Sequence, residues 1–167
     1  MRRTVVLLGA LALFLVAAQV RAREEAVPQD KIPKVVMDAL LAKFPEAKIA
    51  KCTKAKEGED VVYDIEFTQK GRKCEADITE KGAYINYEKA IAAKDLPKAA
   101  RDAIEKRYPK ATLKEIMEET EVQGKAEKLA AYEVVLVTAD KKEVEVKVSP
   151  DGKILEDTGA VQSGEKK

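Results

Sequence analysis

Two stretches of the chain alternate apolar and polar residues with a period of two. Tyr63, Ile65 and Phe67 point one way and Asp64, Glu66 and Thr68 the other. Cys74, Ala76 and Ile78 alternate in the same way with Glu75, Asp77 and Thr79. Further on, Tyr132, Val134 and Leu136 repeat the pattern, followed by Val144, Val146 and Val148 against Glu143, Glu145 and Lys147. This alternation predicts antiparallel strands with one face buried and the other in water. Gly71, Lys81-Gly82, Asp140-Lys141 and Asp151-Gly152 mark the turns between them. Short closing strands are expected at 83–87 and 153–156, and opening strands at 49–55 and 113–118.

Before each set of strands the period changes. Val36, Leu40 and Phe44 recur at helical spacing, as do Ala100, Ile104 and Tyr108. Pro33 and Pro97 suit the first helical position, where a missing N–H is harmless. Pro45 and Pro109 push the preceding residue out of the helical region and stop each helix after about three turns. Such short helices are marginal alone and need a sheet to cover.

The two sets are the same text. Residues 31–49 align without gaps on 95–113 at an offset of 64, with six identities at Pro33, Lys34, Asp38, Ala39, Pro45 and Ala47. The chain therefore reads as a tandem duplication. The fold class expected is α+β, two repeats each laying a short helix on a roughly four-stranded antiparallel sheet. The organisation expected is a signal peptide at 1–22, a flexible lead at 23–30, repeats at 31–93 and 94–158, and a disordered tail at 159–167. A unit of about 65 residues buries only about 60% of its unfolded surface, so the copies are expected to pack together.

The leader follows from charge and length. Arg2 and Arg3 precede an apolar run of 14 residues, 5–18. As a helix the run spans about 21 Å, short of a bilayer core of about 30 Å. Val20-x-Ala22 fits the small-residue cleavage rule, so cleavage is expected after Ala22, with Ala18 the second choice. The expected product is a periplasmic or secreted chain with no stable membrane insertion; an uncleaved N-terminal anchor is the other reading. Removing the three arginines of residues 1–22 leaves 28 basic against 30 acidic residues.

That balance supplies no basic surplus for nucleic acid. The chain has no histidine, which removes Ser-His-Asp and Cys-His nucleophilic sites and every imidazole general base. Ser149 and Ser163 lie in no nucleophile elbow, and no glycine-rich phosphate loop occurs. Asp64, Glu66, Glu75 and Asp77 could gather on the wet face of neighbouring strands, but a glycosidase pair needs a cleft around it. No loop resembles an EF-hand. The expectation is a non-enzyme with no catalytic residue, no metal and no cofactor. Cys52 and Cys74 are either a disulfide or two small buried residues left reduced.

Two departures from symmetry bear on partners. Cys52 to Tyr63 spans 11 positions and Ile116 to Tyr132 spans 16, a five-residue insertion in the second copy. The connection 118–131 is expected to be a protruding charged loop, with Glu118, Glu119, Glu121, Lys125, Glu127 and Lys128 as candidate partner contacts. An insertion merely tolerated at the surface is the other reading. Val135 and Val137 fall where the alternation calls for polar residues. They either pack against the other copy, the preferred reading, or meet a partner.

Ile32, Pro33, Phe44, Pro45, Ala47, Tyr63, Gly82 and Ile85 form a module that Leu96, Pro97, Tyr108, Pro109, Ala111, Tyr132, Gly152 and Leu155 repeat. This module resembles the PepSY-like, beta-lactamase-inhibitor-like family of exported bacterial proteins. The resemblance implies a tandem helix-on-sheet fold, a sheet surface that binds protein, and no catalysis. It also favours a bridge between Cys52 and Cys74. The function expected is an exported, monomeric binding module, an inhibitor or modulator of a secreted or envelope enzyme. The alternative is a structural or stress-related envelope protein with no dedicated target.

Overall fold

The computed structural model describes residues 24–159, so the expected signal peptide and tail residues 160–167 lie outside the described residues. Helices α1 (Lys34–Lys43) and α2 (Lys98–Arg107) have ten residues each. Pro33 and Pro97 stand one position earlier than expected. Their ψ angles of 140° and 144° make them flanking residues rather than the first helical ones. Their carbonyls still open the helices, accepting from the Met37 and Arg101 N–H groups. Phe44 and Tyr108 leave the helical region at ψ 74°, as the following prolines require.

The strands are β1 (Glu25–Ala26), β2 (Lys48–Glu57), β3 (Asp60–Gln69), β4 (Arg72–Thr79), β5 (Tyr84–Ala90), β6 (Thr112–Gln123), β7 (Ala126–Val137), β8 (Glu143–Val148) and β9 (Ile154–Asp157). They form one antiparallel nine-stranded sheet in sequence order. The lead expected to be flexible contributes β1, which pairs Glu25 and Ala26 with Lys54 and Thr53.

One face of the sheet carries both helices. Val36, Leu40 and Phe44 of α1 meet Tyr63, Ile65, Phe67, Cys74, Ala76 and Ile78 in one core. Ala100 and Ile104 of α2 meet Tyr132, Val134, Leu136, Val144, Val146 and Val148 in the other. The Phe44 ring packs 4.9 Å from Phe67 and 5.7 Å from Tyr87. Matching irregularities recur as well. The register shifts at Ala50 in β2 and at Lys114 in β6, and again beside Ile85 in β5 and Leu155 in β9.

The largest difference from the sequence expectation is the segment 118–131. It is not a loop. It completes β6 and β7, joined by a two-residue turn at Gly124-Lys125. The outer part of β6 pairs with β5 in the register Asn86↔Glu121, Glu88↔Glu119 and Ala90↔Met117, which fuses the two halves into one sheet. Val122 reaches the first core. Glu127 accepts from the Tyr87 hydroxyl at 2.8 Å and pairs with Lys43.

The candidate disulfide is also corrected. Cys52 and Cys74 are both free and buried. They lie on β2 and β4 with β3 between them. Two strand spacings of about 4.8 Å place the backbones beyond the roughly 7 Å that a bridge tolerates.

Two turns pass directly under the helix starts. A Cβ at Gly82 would stand 2.9 Å from a Val35 methyl, and one at Gly152 would stand 2.6 Å from the Ala99 carbonyl oxygen. Both glycines also have positive φ. Gly124 shares the positive φ but faces open space. Gly152→Ala is therefore expected to cost about 3 kcal/mol, against about 1 kcal/mol for Gly124→Ala. Gly82→Ala should fall between them, because a side-chain methyl yields more easily than a backbone carbonyl. Urea denaturation of the three variants checks the ranking.

Candidate binding face

The strand positions that alternate with the core residues emerge on the face that neither helix covers. Cross-strand register sets them in rows. Lys51, Glu66, Glu75, Glu88 and Glu119 stand directly opposite one another on β2 to β6. Beside them run Thr53, Asp64, Asp77, Asn86 and Glu121. Four glutamates thus follow one another across four strands, with Lys51 beyond one end of the row and Ala131 beyond the other. Like charges directly opposite each other destabilise a sheet.

The ion pairs show how the row is held. Lys51 reaches Glu66 at 2.7 Å. At the other end Lys147 reaches Glu119 at 2.6 Å and Glu133 at 3.2 Å. Lys73 bridges Glu75 at 3.0 Å and Glu115 at 2.6 Å. No ion pair reaches Glu88 among the described residues. Burial, then Glu133, Glu75 and Glu119, push the Glu88 carboxyl up to about 8, with Lys147 pulling the other way. Burial and then Asp64 push Asp77 up to about 6, against the amide of Asn86 that donates to it at 3.0 Å. Asp64 is raised by burial and then by Glu75 and Glu66.

The sequence-derived candidates divide between the two faces. Asp64, Glu66, Glu75 and Asp77 are brought together as expected, and Glu88 and Glu119 join them. Glu119, Glu121 and Lys128 share this face, since Glu121 pairs with Lys128 and Glu119 with Ala131. Glu118 and Glu127 are on the helix side, opposite Tyr132 and Val122, and Lys125 is in the turn. Val135 and Val137 are half-buried on the helix-free face, between Glu115 and Glu145 and between Thr112 and Glu143. Neither joins a core, so the preferred packing against the other copy does not occur. Glu88 was missed because the closing strand is expected to end at residue 87, whereas β5 runs on to Ala90. The opposite pairing with Glu119 depends on a register that only the fold supplies.

Chemically, the face offers a dense set of acceptors beside ordered ammonium groups. Among the described residues, no three of His, Cys, Asp or Glu converge as a metal site. The carboxylates lie on a sheet face that neither helix covers.

The chain belongs to the family described as "Putative beta-lactamase-inhibitor-like, PepSY-like", which matches residues 18–85 and 61–156. Comparison with curated proteins finds no match. Solved structures share the fold. A BLIP-like protein from Bacteroides fragilis has 18% identity and a TM-score of 0.53, covering 79% of this chain and 86% of its own. A structure from Bacteroides eggerthii, described as periplasmic, has 14% identity and a TM-score of 0.60 over 75% of this chain and 87% of its own. A DUF2874 family protein from Bacteroides uniformis has 15% identity and a TM-score of 0.58 over the same shares. At these identities the likeness is one of fold. No helix among the described residues is long and apolar enough to cross a membrane.

The raised carboxyls make stability depend on pH with a definite sign. Glu88 and Asp77 hold protons in the folded chain at pH values where the unfolded chain has released them. Their contribution is complete below about pH 4 and is lost as pH rises through about 6 and then 8. Urea midpoints are expected to fall between pH 5 and 8.5. Glu88→Gln should flatten the upper part of that fall.

Proposed function

We propose that this chain is an exported, non-catalytic binding module of the cell envelope, an inhibitor or modulator of an envelope or secreted enzyme. It is built as two tandem units, each one helix over four strands, and it holds a protein partner on the helix-free face of the joined sheet. Family membership and the periplasmic description of a fold relative support the compartment and class. The observation that carries the reading is the unbroken run Glu66–Glu75–Glu88–Glu119. Opposed carboxylates weaken the sheet, and the core requires none of them. Groups that lower stability without serving the core mark sites kept for function. Val135 and Val137 lie on the same face and add apolar contact area to it.

The double variant Glu75→Gln with Glu88→Gln separates function from folding. Relief of repulsion should raise the thermal midpoint at pH 8.5 by about 2–4 °C. The mature chain, used as bait in envelope extract of its source organism, should retain a near-stoichiometric partner that the variant loses. A variant that is more stable and still holds the same partner equally well would remove this face from the account.

A further inference from the structure

On the helix side of the sheet, where α1 ends beside the β3–β4 turn, a groove of about 280 Å³ opens between Phe44, Gln69, Lys70, Arg72, Cys74 and Lys89. Its three cations are incompletely neutralised. Lys70 has Glu46 at 3.6 Å, a long contact. Among the described residues no carboxylate pairs with Arg72. Lys89 rests over aromatic rings, 4.7 Å from the centre of Tyr87 and 6.0 Å from that of Phe44, with Glu118 opposite it on β6 and Glu127 within reach of its field but no ion pair formed among the described residues. Arg72 and Lys89 both act on the Cys74 thiol, drawing it down against the burial that raises it, so their fields meet inside the groove. The buried side-chain oxygen of Gln69 has no hydrogen-bond partner among the described residues. A buried amide oxygen left without a donor is uncommon and calls for one.

The second half carries no cation at the Lys89 position. Val144 corresponds to Cys74 and Tyr108 to Phe44. Continuing the register from Asp157, opposite Val146, places Gly159 at the position of Lys89, packed so closely on the Val144 methyls and the Tyr108 hydroxyl that no side chain fits there. Asp157 sits beside it, accepting from the Tyr108 hydroxyl and, at 2.7 Å, from Arg107.

We propose that the groove binds the oxyanion of a small organic molecule. Arg72, Lys89 and Lys70 hold the carboxylate or phosphate, the Gln69 side-chain oxygen accepts from an adjoining N–H or O–H donor, and Phe44 contacts the apolar body. The volume exceeds what a bare oxyanion fills and leaves room for an organic body beside Phe44. This site is on the opposite face from the glutamate row and stands independently of the proposed function.

The test is an amide-shift NMR titration at constant ionic strength with phenyl phosphate, benzoate and, as a control, sodium chloride. Saturable shifts confined to residues 69–74 and 89 are expected with one or both aromatic anions. Saturation by phenyl phosphate alone assigns a phosphate, and saturation by benzoate alone assigns a carboxylate. Arg72→Gln and Lys89→Gln should each weaken binding about tenfold, with unchanged shifts in β8 showing that the fold is intact. If Lys89→Gln disturbs the fold, Arg72→Gln alone decides. Shifts that grow without saturating, that match those from chloride, or that persist undiminished in Arg72→Gln would overturn the proposal.

Discussion

The pairing of β5 with β6 is the constraint on which the rest of the molecule depends. Each half has a ten-residue helix and a core of about a dozen buried side chains. Units that small leave a large fraction of their surface in water. Backbone hydrogen bonds between Asn86–Ala90 and Met117–Glu121 remove two sheet edges at once. An open edge presents unpaired N–H and C=O groups to any other strand. The extended β6–β7 hairpin deepens this joint. Val122 enters the first core, and the Glu127 carboxylate, held below its ordinary range by Lys43 and Tyr87, anchors the second half to the first.

A continuous sheet with both helices on one side leaves the other side uncovered along its whole width. The same seam that joins the halves brings Glu88 against Glu119 and completes the glutamate row. Structure and candidate site thus share one cause. The burial of Glu119, 5% exposed, and the upward shift of Glu88 both follow from placing carboxylates in the middle of a sheet instead of on its rim.

Where the core lay behind an element, the sequence made it legible. Val36, Leu40 and Phe44 announced α1, and Tyr63, Ile65 and Phe67 announced β3. The prolines bounded both helices to within a residue. The outer halves of β6 and β7 were illegible for the converse reason. Their core-side positions are Glu118, Thr120, Val122, Glu127 and Leu129, of which only Val122 packs against a core, so no apolar stripe marks the strand. The cysteines misled because separation along the chain says nothing about an intervening strand. Four acidic positions of the candidate face were visible as polar partners of core residues. Their union with Glu88 and Glu119 required cross-strand register, which single-strand alternation does not carry.

Hydrogen exchange on the amides of residues 117–123 tests the account most directly. Paired strands in a fused sheet open only with the cooperative unit to which they belong, whereas a solvated loop exchanges almost freely. The account predicts that the hydrogen-bonded amides of this segment are protected to the same degree as those of β3 and β7. Exchange at the rate of an open loop, with β3 and β7 still protected, would contradict it.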